Sequence, residues 1–181
     1  SISGWDVSNC RNMVAMFQNN SYFNQPIGAW DLSAGPSIYN MFDGATSFNN
    51  GGSSNISGWD VSSITSFQGL FKKTPFNQPI GYWNTSSVGG INETFREADA
   101  FDQDLSNWNV SNVNNATNFM YNASGLSTTN YDRTLSGWSS QSVNNGVSIH
   151  FGGSQYSTAT GAAYRATLVS KGWTITDGGA V

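Results

Sequence analysis

The sequence predicts an α/β fold, a right-handed solenoid in which short parallel strands and short helical turns repeat along the chain. Three observations lead to this prediction. Tryptophans recur at intervals of 24 to 30 residues, apolar residues keep fixed distances from each tryptophan, and extra residues occur only in polar stretches. In a stack of coils the core positions cannot shift, whereas loops lengthen at modest entropic cost.

The strands are predicted from the residues around each tryptophan. The first unit places Ile2, Trp5, Val7 and Cys10 in the spacing apolar-x-x-Trp-x-apolar-x-x-apolar. This spacing matches the leucine-rich-repeat template with tryptophan at its second position. Because residues two apart point to the same side of a strand, we expect leucine-rich-repeat-like strands that pair in parallel at the tryptophans. The tryptophans in register are Trp5, Trp30, Trp59, Trp83, Trp108 and Trp138.

A helical turn is predicted after each strand. In the first unit Met13, Met16 and Phe17 have the i, i+3, i+4 spacing that is typical of a helix. An aromatic residue stands seven positions before most tryptophans, and Phe48 takes this part in the third unit, ahead of a polar insertion at about 50–55. One unit cannot bury its tryptophan alone, so we expect stacking to form a tryptophan column and a phenylalanine and methionine column.

A polar column follows the aromatic positions. Amide and carboxylate side chains of this kind bond readily to nearby backbone groups. We therefore expect an internal ladder that caps backbone groups in the turns, formed by Asn24, Asn49, Asn77, Asp102 and Asp132.

The chain is expected to divide into a tandem array of about 25-residue units over residues 1–138 and a capping segment over 139–181. Val147–Phe151 alternates like a strand, Thr158–Ser170 has the pattern of an amphipathic helix, and Trp173–Thr176 is predicted to be a closing strand. A solenoid needs a terminal cap over its last apolar face, and this β-α-β segment fits that role. No such cap precedes Ser1, which predicts further repeats or another domain upstream.

The boundaries of the capping helix follow from local signals. Ser157 or Thr158 is the expected N-cap, and Gly172 is expected to end the helix. The predicted apolar contacts of this helix are Ala162, Ala163, Ala166 and Val169.

Composition excludes several classes of protein. The net charge is −4 and only 10% of residues are charged, so there is no basic patch for nucleic acid. The aromatic content of 14% argues against disorder. No apolar run approaches the roughly 20 residues of a membrane span.

The single cysteine, Cys10, excludes an internal disulfide and is expected in the core, and the single histidine, His150, is expected to be structural. No catalytic group is recognisable, so the chain is not expected to be an enzyme.

The candidate ligand-binding residues form a column directly after the tryptophans. One interpretation is a ladder of oxygen ligands for Ca²⁺ or a sugar, and the other is a solvated ladder of turn residues. Two carboxylates about 4.8 Å apart in bulk water repel by only about 0.9 kcal/mol, which exposed side chains tolerate without a metal. Apart from this possible Ca²⁺ site, no cofactor or metal is expected. The column consists of Asp6, Asp31, Asp60, Asn84 and Asn109.

Several segments resemble a known family. The segment Phe23–Ser33, FNQPIGAWDLS, resembles the BspA-like leucine-rich repeat, which is also described from mycoplasma surface lipoproteins. The segment Phe101–Val113, FDQDLSNWNVSNV, is closer still to that consensus, and Trp173–Gly179 resembles the usual end of such arrays. The resemblance implies a cell-surface or secreted protein used in adhesion or host contact, without catalytic residues. Similar arrays also occur in bacteriophage proteins.

These observations predict a non-catalytic extracellular surface module that contacts a protein or glycan on a host or neighbouring cell. The alternative is a structural or receptor-binding part of a phage virion or an extracellular filament, which would lie on the virion surface and self-associate in a larger assembly. A secreted glycan-active enzyme is the third hypothesis.

Overall fold

The computed structural model describes all 181 residues, and its regular elements lie mainly in the C-terminal third. Helix α1 spans Thr128–Ser139 and strand β1 spans Ser148–His150. Helix α2 spans Gly161–Ser170 and strand β2 spans Thr174–Thr176. The polar insertion folds into two short 3₁₀ helices, and the remaining residues form turns and bends. The 3₁₀ helices are Asn50–Gly52 and Ser54–Gly58.

Successive units pair in parallel through stretches that we call the ladder segments, residues 12–19, 37–44, 66–73, 90–97 and 115–122. In the first segment, alternate backbone N–H groups donate to carbonyls of the second. These bonds run from Met13 to Ser37 (2.8 Å), Ala15 to Tyr39 (2.9 Å), Phe17 to Met41 (2.9 Å) and Asn19 to Asp43 (2.7 Å). Similar bonds join the later segments. The ladder continues into the cap through the Met120 N–H, which donates to the His150 carbonyl at 2.7 Å.

Each ladder segment is a run of overlapping β-turns. In the first, the N–H groups of Met16 and Gln18 donate to the carbonyls of Met13 and Ala15 at 3.3 and 3.0 Å, and Ala15 has a φ of 55°. A left-handed residue reorients the adjoining peptide, so that alternate N–H groups lie along the stack. Left-handed residues recur at equivalent positions, four apart: Ala15 and Asn19, Asn40 and Gly44, Gly69 and Lys73, Glu93 and Glu97, Asn118 and Asn122.

Two local predictions are therefore wrong. Met13–Phe17 forms turns and not a helical turn, and the pairing between units does not run through the residues around Trp5. The i, i+3 spacing fits a run of turns as well as a helix. The Trp5 N–H is used within its own turn, where it donates to the Ile2 carbonyl at 3.1 Å, so it is not available to a neighbouring unit. The same turn recurs at Trp30, Trp59, Trp83 and Trp108.

The tryptophans link each unit to the one before it. The Trp30 indole N–H donates to the Ile2 carbonyl at 3.1 Å, and the Trp138 indole continues the series by donating to the Leu105 carbonyl at 2.8 Å. Some neighbouring indoles also stack, as in Trp59 and Trp83, whose ring centroids are 6.0 Å apart. Because every indole from Trp30 onward donates to the preceding unit, the tryptophan column both fills the core and sets the register. The remaining bonds join Trp59 to Ile27, Trp83 to Ile56, and Trp108 to Ile80.

Phenylalanines form a second column. Between successive tryptophans, two rings lie face to face, and between Trp30 and Trp59 these are Phe42 and Phe48, with centroids 3.8 Å apart. Between units the same rings stack with larger offsets, for example Phe42 on Phe71 at 5.9 Å. Phe48 holds the aromatic position despite the insertion, as the sequence predicts. The insertion therefore leaves the core register unchanged. The other face-to-face pairs are Phe17 with Phe23, Phe71 with Phe76, and Phe95 with Phe101.

Helix α1 occupies the place of the sixth unit, where Tyr131, Leu135 and Trp138 are buried. Strands β1 and β2 pair in parallel with Ile149 opposite Ile175, and α2 packs on α1. The strands predicted over Val147–Phe151 and Trp173–Thr176 are thus confirmed within shorter limits. Neither helix has the length and apolar character needed to cross a membrane.

Helix α2 begins later than predicted and uses a different face. The N-cap of α2 is Thr160, whose side chain makes no capping bond, so the N-cap expected at Ser157 or Thr158 is wrong. The Ser157 hydroxyl nevertheless accepts the N–H groups of Thr160 and Gly161 at 3.2 Å each. Gly172, with a φ of 92°, ends the helix as predicted. The predicted contacts are wrong, because Leu168 and Gly161 are the buried residues. A side chain at Gly161 would overlap the Asp132 carboxylate, so the close approach of α2 to the rest of the cap selects that face. Ala162 is only half-buried, and Ala163, Ala166 and Val169 are exposed.

Candidate functional site

The column after the tryptophans lies on the surface. All five candidate residues are exposed, and each side chain accepts a hydrogen bond from the backbone N–H two residues later. The Asp31 carboxylate, for example, accepts from the Ser33 N–H at 2.9 Å. These bonds are the Asx-turns that such residues commonly form. The equivalent bonds are Ser8 to Asp6 (3.1 Å), Ser62 to Asp60 (3.0 Å), Ser86 to Asn84 (3.2 Å) and Ser111 to Asn109 (3.0 Å).

The electrostatics of this column are those of solvated turn residues. Hydrogen bonds from Ser8, Ser33 and Ser62 lower the pKa values of Asp6, Asp31 and Asp60 respectively. The charge of Asp31 opposes this effect at Asp6 and Asp60, which places the three carboxylates within electrostatic reach of one another. They are not drawn into one cluster, and no group of three or more His, Cys, Asp or Glu side chains is arranged to hold a metal ion.

The internal polar ladder is present as the sequence predicts. The Asn24 side-chain oxygen accepts the Asn49 N–H at 2.8 Å, and the Asn49 oxygen accepts the Asn77 N–H at 2.9 Å. The Asn77 oxygen accepts the Asp102 N–H at 2.9 Å, and the Asp102 carboxylate accepts the Ser127 N–H at 2.8 Å. Each of these side chains therefore ties one turn to the next, which is a structural role. Asp132 does the same for the Ser157 N–H in the cap.

A charged cluster on the third and fourth ladder segments is not predicted from the sequence. Lys72 lies 2.9 Å from Glu93, whose other oxygen is 2.8 Å from the Arg96 guanidinium. Burial raises the pKa of Glu93, but hydrogen bonds from Lys72 and Arg96 outweigh it and leave the pKa below its usual value. Arg96 also lies over the Tyr121 ring, 5.4 Å from its centroid. The only signal in the sequence is the concentration of charge at 72–73 and 93–97 in a chain with few charges.

Asn50 is another residue that sequence reasoning missed. Its side chain is completely buried, and its oxygen accepts the Ile27 N–H at 2.8 Å. Its amide N–H groups donate to the Ser53 carbonyl at 2.6 Å and the Asn55 side-chain oxygen at 2.8 Å. Asn50 therefore anchors the insertion to the second unit, which assigns it a structural role.

An open polar cleft of about 460 Å³ lies where α1 meets the fifth unit. None of its lining residues is hydrophobic. One wall is held by Gln141, whose oxygen accepts the Val110 N–H and whose amide donates to the Trp108 carbonyl, both at 2.8 Å. Arg133 also lines the cleft, and its largely exposed guanidinium lies 4.0 Å from the Asp104 carboxylate. The lining residues are Ser106, Asn107, Arg133, Ser136, Gly137, Ser140 and Gln141.

Tyr82 belongs to the unit that precedes the cleft. It follows Gly81, which packs so closely on the Asp104 carbonyl that a side chain there would overlap it. In the register of the stack, Tyr82 lies one unit below Asn107, since each directly precedes a tryptophan. The Tyr82 side chain is 87% exposed, and only Tyr22, at 93%, is more exposed among the large hydrophobic side chains. An aromatic ring therefore projects into solvent one unit before the cleft in the register of the stack.

One comparison with known proteins gives a match. A family model described as "Mycoplasma protein of unknown function, DUF285" matches residues 1–54 and 50–161. No curated protein and no solved structure matches the chain. Because the two matched segments together cover most of its length, the chain belongs to this Mycoplasma-associated family of unknown function.

Proposed function

We propose that the chain is a non-catalytic, extracellular contact module of the BspA-like class, folded as a leucine-rich-repeat-like solenoid, and that it binds a glycan on a host or neighbouring cell. The observation that carries the proposal is the open polar cleft at α1, together with the exposed Tyr82 ring one unit before it in the register of the stack. The extracellular location rests on the resemblance of the Phe23–Ser33 and Phe101–Val113 segments to that class.

The chemistry of the cleft favours a hydroxylated ligand. A small-molecule pocket is usually lined by apolar side chains, whereas this cleft has none. A sugar ring has hydroxyl groups at its edge and C–H groups on its faces, so polar lining groups and an aromatic ring can serve the same ligand. Asn107 and Arg133 are exposed at the cleft, and they supply hydrogen-bond donors and an acceptor.

The tyrosine adds contact area at low entropic cost. Tyrosine is rigid and amphipathic, and it is enriched with serine, glycine and asparagine on contact surfaces that recognise varied partners. No aromatic pair or hydrogen bond holds Tyr82, so its exposure is not explained by the stability of the stack. Contact with a ligand would explain why the Tyr82 ring is exposed to solvent.

The test is binding of the whole chain and matched variants to a glycan array, followed by measured affinities for the hits. We expect Tyr82→Ala and Arg133→Ala each to weaken binding at least about tenfold, which corresponds to about 1.4 kcal/mol. Tyr22→Ala is the matched control, because that ring is at least as exposed but belongs to the first unit.

Three results would contradict the proposal. The first is an array without hits, and the second is an equal loss of binding in the Tyr22→Ala variant. The third is binding to cells that survives periodate oxidation of their glycans but not protease treatment, which would identify a protein partner instead.

A further inference from the structure

The cleft at α1 is formed by one face of that helix and by the fifth unit. Arg133, Ser136 and Gly137 have the i, i+3, i+4 spacing of residues on one helix face, and all three line the cleft. Gly137 packs on the Ser106 carbonyl so closely that a side chain at position 137 would overlap it. The absence of a side chain at Gly137 therefore lets this face of α1 lie directly against the fifth unit.

Four polar side chains of the cleft have no hydrogen-bond partner within the chain. The other two polar side chains that line it are engaged, because Ser140 donates to the Gly137 carbonyl at 2.8 Å and Gln141 bonds to the fifth unit. The four unpartnered side chains offer two hydroxyl groups, an amide and a guanidinium to a ligand. They belong to Ser106, Asn107, Arg133 and Ser136.

Arg133 gives the cleft its only charged group. The chain has seven Lys and Arg residues, and five of them donate side-chain hydrogen bonds to oxygen atoms of the chain. Arg133 and Lys73 donate none, and the nearest carboxylate oxygens lie 4.0 and 3.9 Å away respectively. The guanidinium of Arg133 therefore keeps all of its N–H donors free for a ligand. The five engaged residues are Arg11, Lys72, Arg96, Arg165 and Lys171.

The carboxylate of Asp104 does not occupy this guanidinium. One of its oxygens accepts the Ser106 N–H at 2.8 Å, and the other lies 4.0 Å from the nearest Arg133 nitrogen. The Arg133 side chain is 62% exposed and that of Asp104 is 34% exposed, and exposed ion pairs contribute little to stability. An anionic ligand can therefore take the guanidinium without breaking a strong contact.

We infer that the sugar bound in this cleft carries a carboxylate, which the Arg133 guanidinium binds. This inference rests on the proposed function and narrows its ligand class to acidic glycans. The planar guanidinium matches the two oxygens of a carboxylate with two parallel hydrogen bonds, and such charge-assisted bonds are stronger than those of neutral groups. The hydroxyl groups of the same sugar bond to Ser106, Asn107 and Ser136.

The experiment uses the whole chain and pairs of oligosaccharides that differ only in the carboxyl group. Oligosaccharides that carry a uronic acid or a sialic acid are each compared with their carboxyl-reduced form by isothermal titration calorimetry. In the reduced form a primary alcohol replaces the carboxylate. We expect the acid form to bind at least about tenfold more tightly, because it alone makes charge-assisted bonds. Added salt should narrow the difference between the two forms, since it screens exposed charges.

Three variants test the role of the guanidinium. Arg133→Gln should weaken binding of the acid form most, so that the two forms then bind within about twofold of each other. Asp104→Asn keeps an oxygen for the Ser106 N–H but removes the competing charge. It should strengthen binding of the acid form about two- to fivefold and leave the affinity for the reduced form unchanged. Lys73→Gln is the matched control, because Lys73 also donates no hydrogen bond but lies outside the cleft.

The possible failures of this inference and of the proposed function are distinguishable. Equal binding of the acid and reduced forms by the wild type would overturn the inference and leave the proposed function intact. A preference for the acid form that persists in Arg133→Gln, or a preference for sulfated over carboxylated oligosaccharides, would overturn it in the same way. Absence of binding to every glycan, acidic or neutral, would contradict the proposed function and this inference with it.

Discussion

Removing the Trp83 indole provides the most direct test of how the units depend on one another. The ring is 2% exposed, stacks on Trp59, and packs against Phe67 with a centroid distance of 5.6 Å. Its N–H donates to the Ile56 carbonyl at 3.1 Å. The variant Trp83→Ala removes both the packing and this bond between the third and fourth units.

The magnitude follows from the burial. A tryptophan covers roughly 150–250 Å², which at about 25 cal/mol per Å² is at most about 4–6 kcal/mol. Relaxation around the cavity and the compactness of the unfolded chain reduce this, and measured Trp→Ala costs are about 3–5 kcal/mol. We therefore expect Trp83→Ala to lower the free energy of unfolding by about 3–5 kcal/mol. Trp5→Ala should cost only about 1–2 kcal/mol, because half of that ring is exposed and its N–H has no acceptor.

Urea unfolding followed by far-UV circular dichroism measures both variants, with m-values compared to detect loss of two-state behaviour. Trp83→Phe separates the two contributions, since it keeps an aromatic ring but removes the indole hydrogen bond. The cost should be about 0.5–1.5 kcal/mol, because the Ile56 carbonyl still accepts the Trp59 N–H at 3.2 Å. Equal losses for Trp5→Ala and Trp83→Ala would refute the reasoning, because the cost would then not depend on neighbouring units.

The remaining predictions concern the two polar columns. Burial raises the pKa of Asp102, but hydrogen bonds from Ser127 and Asn130 outweigh this effect and hold the pKa below its usual 3.8. The stability that this carboxylate contributes is therefore present above pH 3.8 and is lost as the pH falls through the lowered pKa. Asp102→Asn introduces the residue that Asn77 already provides one unit earlier. The wild type should therefore have a higher urea midpoint than the variant at neutral pH, and the two midpoints should converge below about pH 3.8. A difference between the midpoints that stays constant across that range would contradict the mechanism. Millimolar Ca²⁺ should leave Tm unchanged relative to a chelator control, because the carboxylate oxygens of Asp6, Asp31 and Asp60 accept hydrogen bonds in separate turns. A rise in Tm with Ca²⁺ that Asp31→Ala abolishes would instead support the metal-ligand interpretation.

Much of the cap and of the internal ladder follows from local patterns. The strands near Ile149 and Ile175 and the helix ending before Gly172 were predicted within a few residues, because alternation, capping and glycine act over short distances. The polar ladder from Asn24 to Asp102 was also predicted, since one residue type recurs at one place in every unit. Repetition shows which residues share an environment.

The candidate site could be predicted only in part. The surface position of the Asp6 to Asn109 column follows from its place in the repeat. The cleft cannot be predicted in this way, because it forms where α1 brings Arg133 and Gln141 to the fifth unit, about 30 residues away along the chain. The ion pairs of Lys72 and Glu93 likewise join different units. Such contacts depend on how neighbouring units stack on one another, and no short sequence pattern specifies that stacking.

The sequence by itself determined the length of the unit and the residues that face the core, because a large aromatic side chain in a repeat is buried only where neighbouring units cover it with apolar side chains. Only the tertiary structure decided where the units are joined. The spacing of Met13, Met16 and Phe17 suits a helix and a run of turns equally well, and the sign of φ at Ala15 selects between them. That sign directs alternate N–H groups along the stack, and this direction makes one edge of each unit a donor and the other an acceptor.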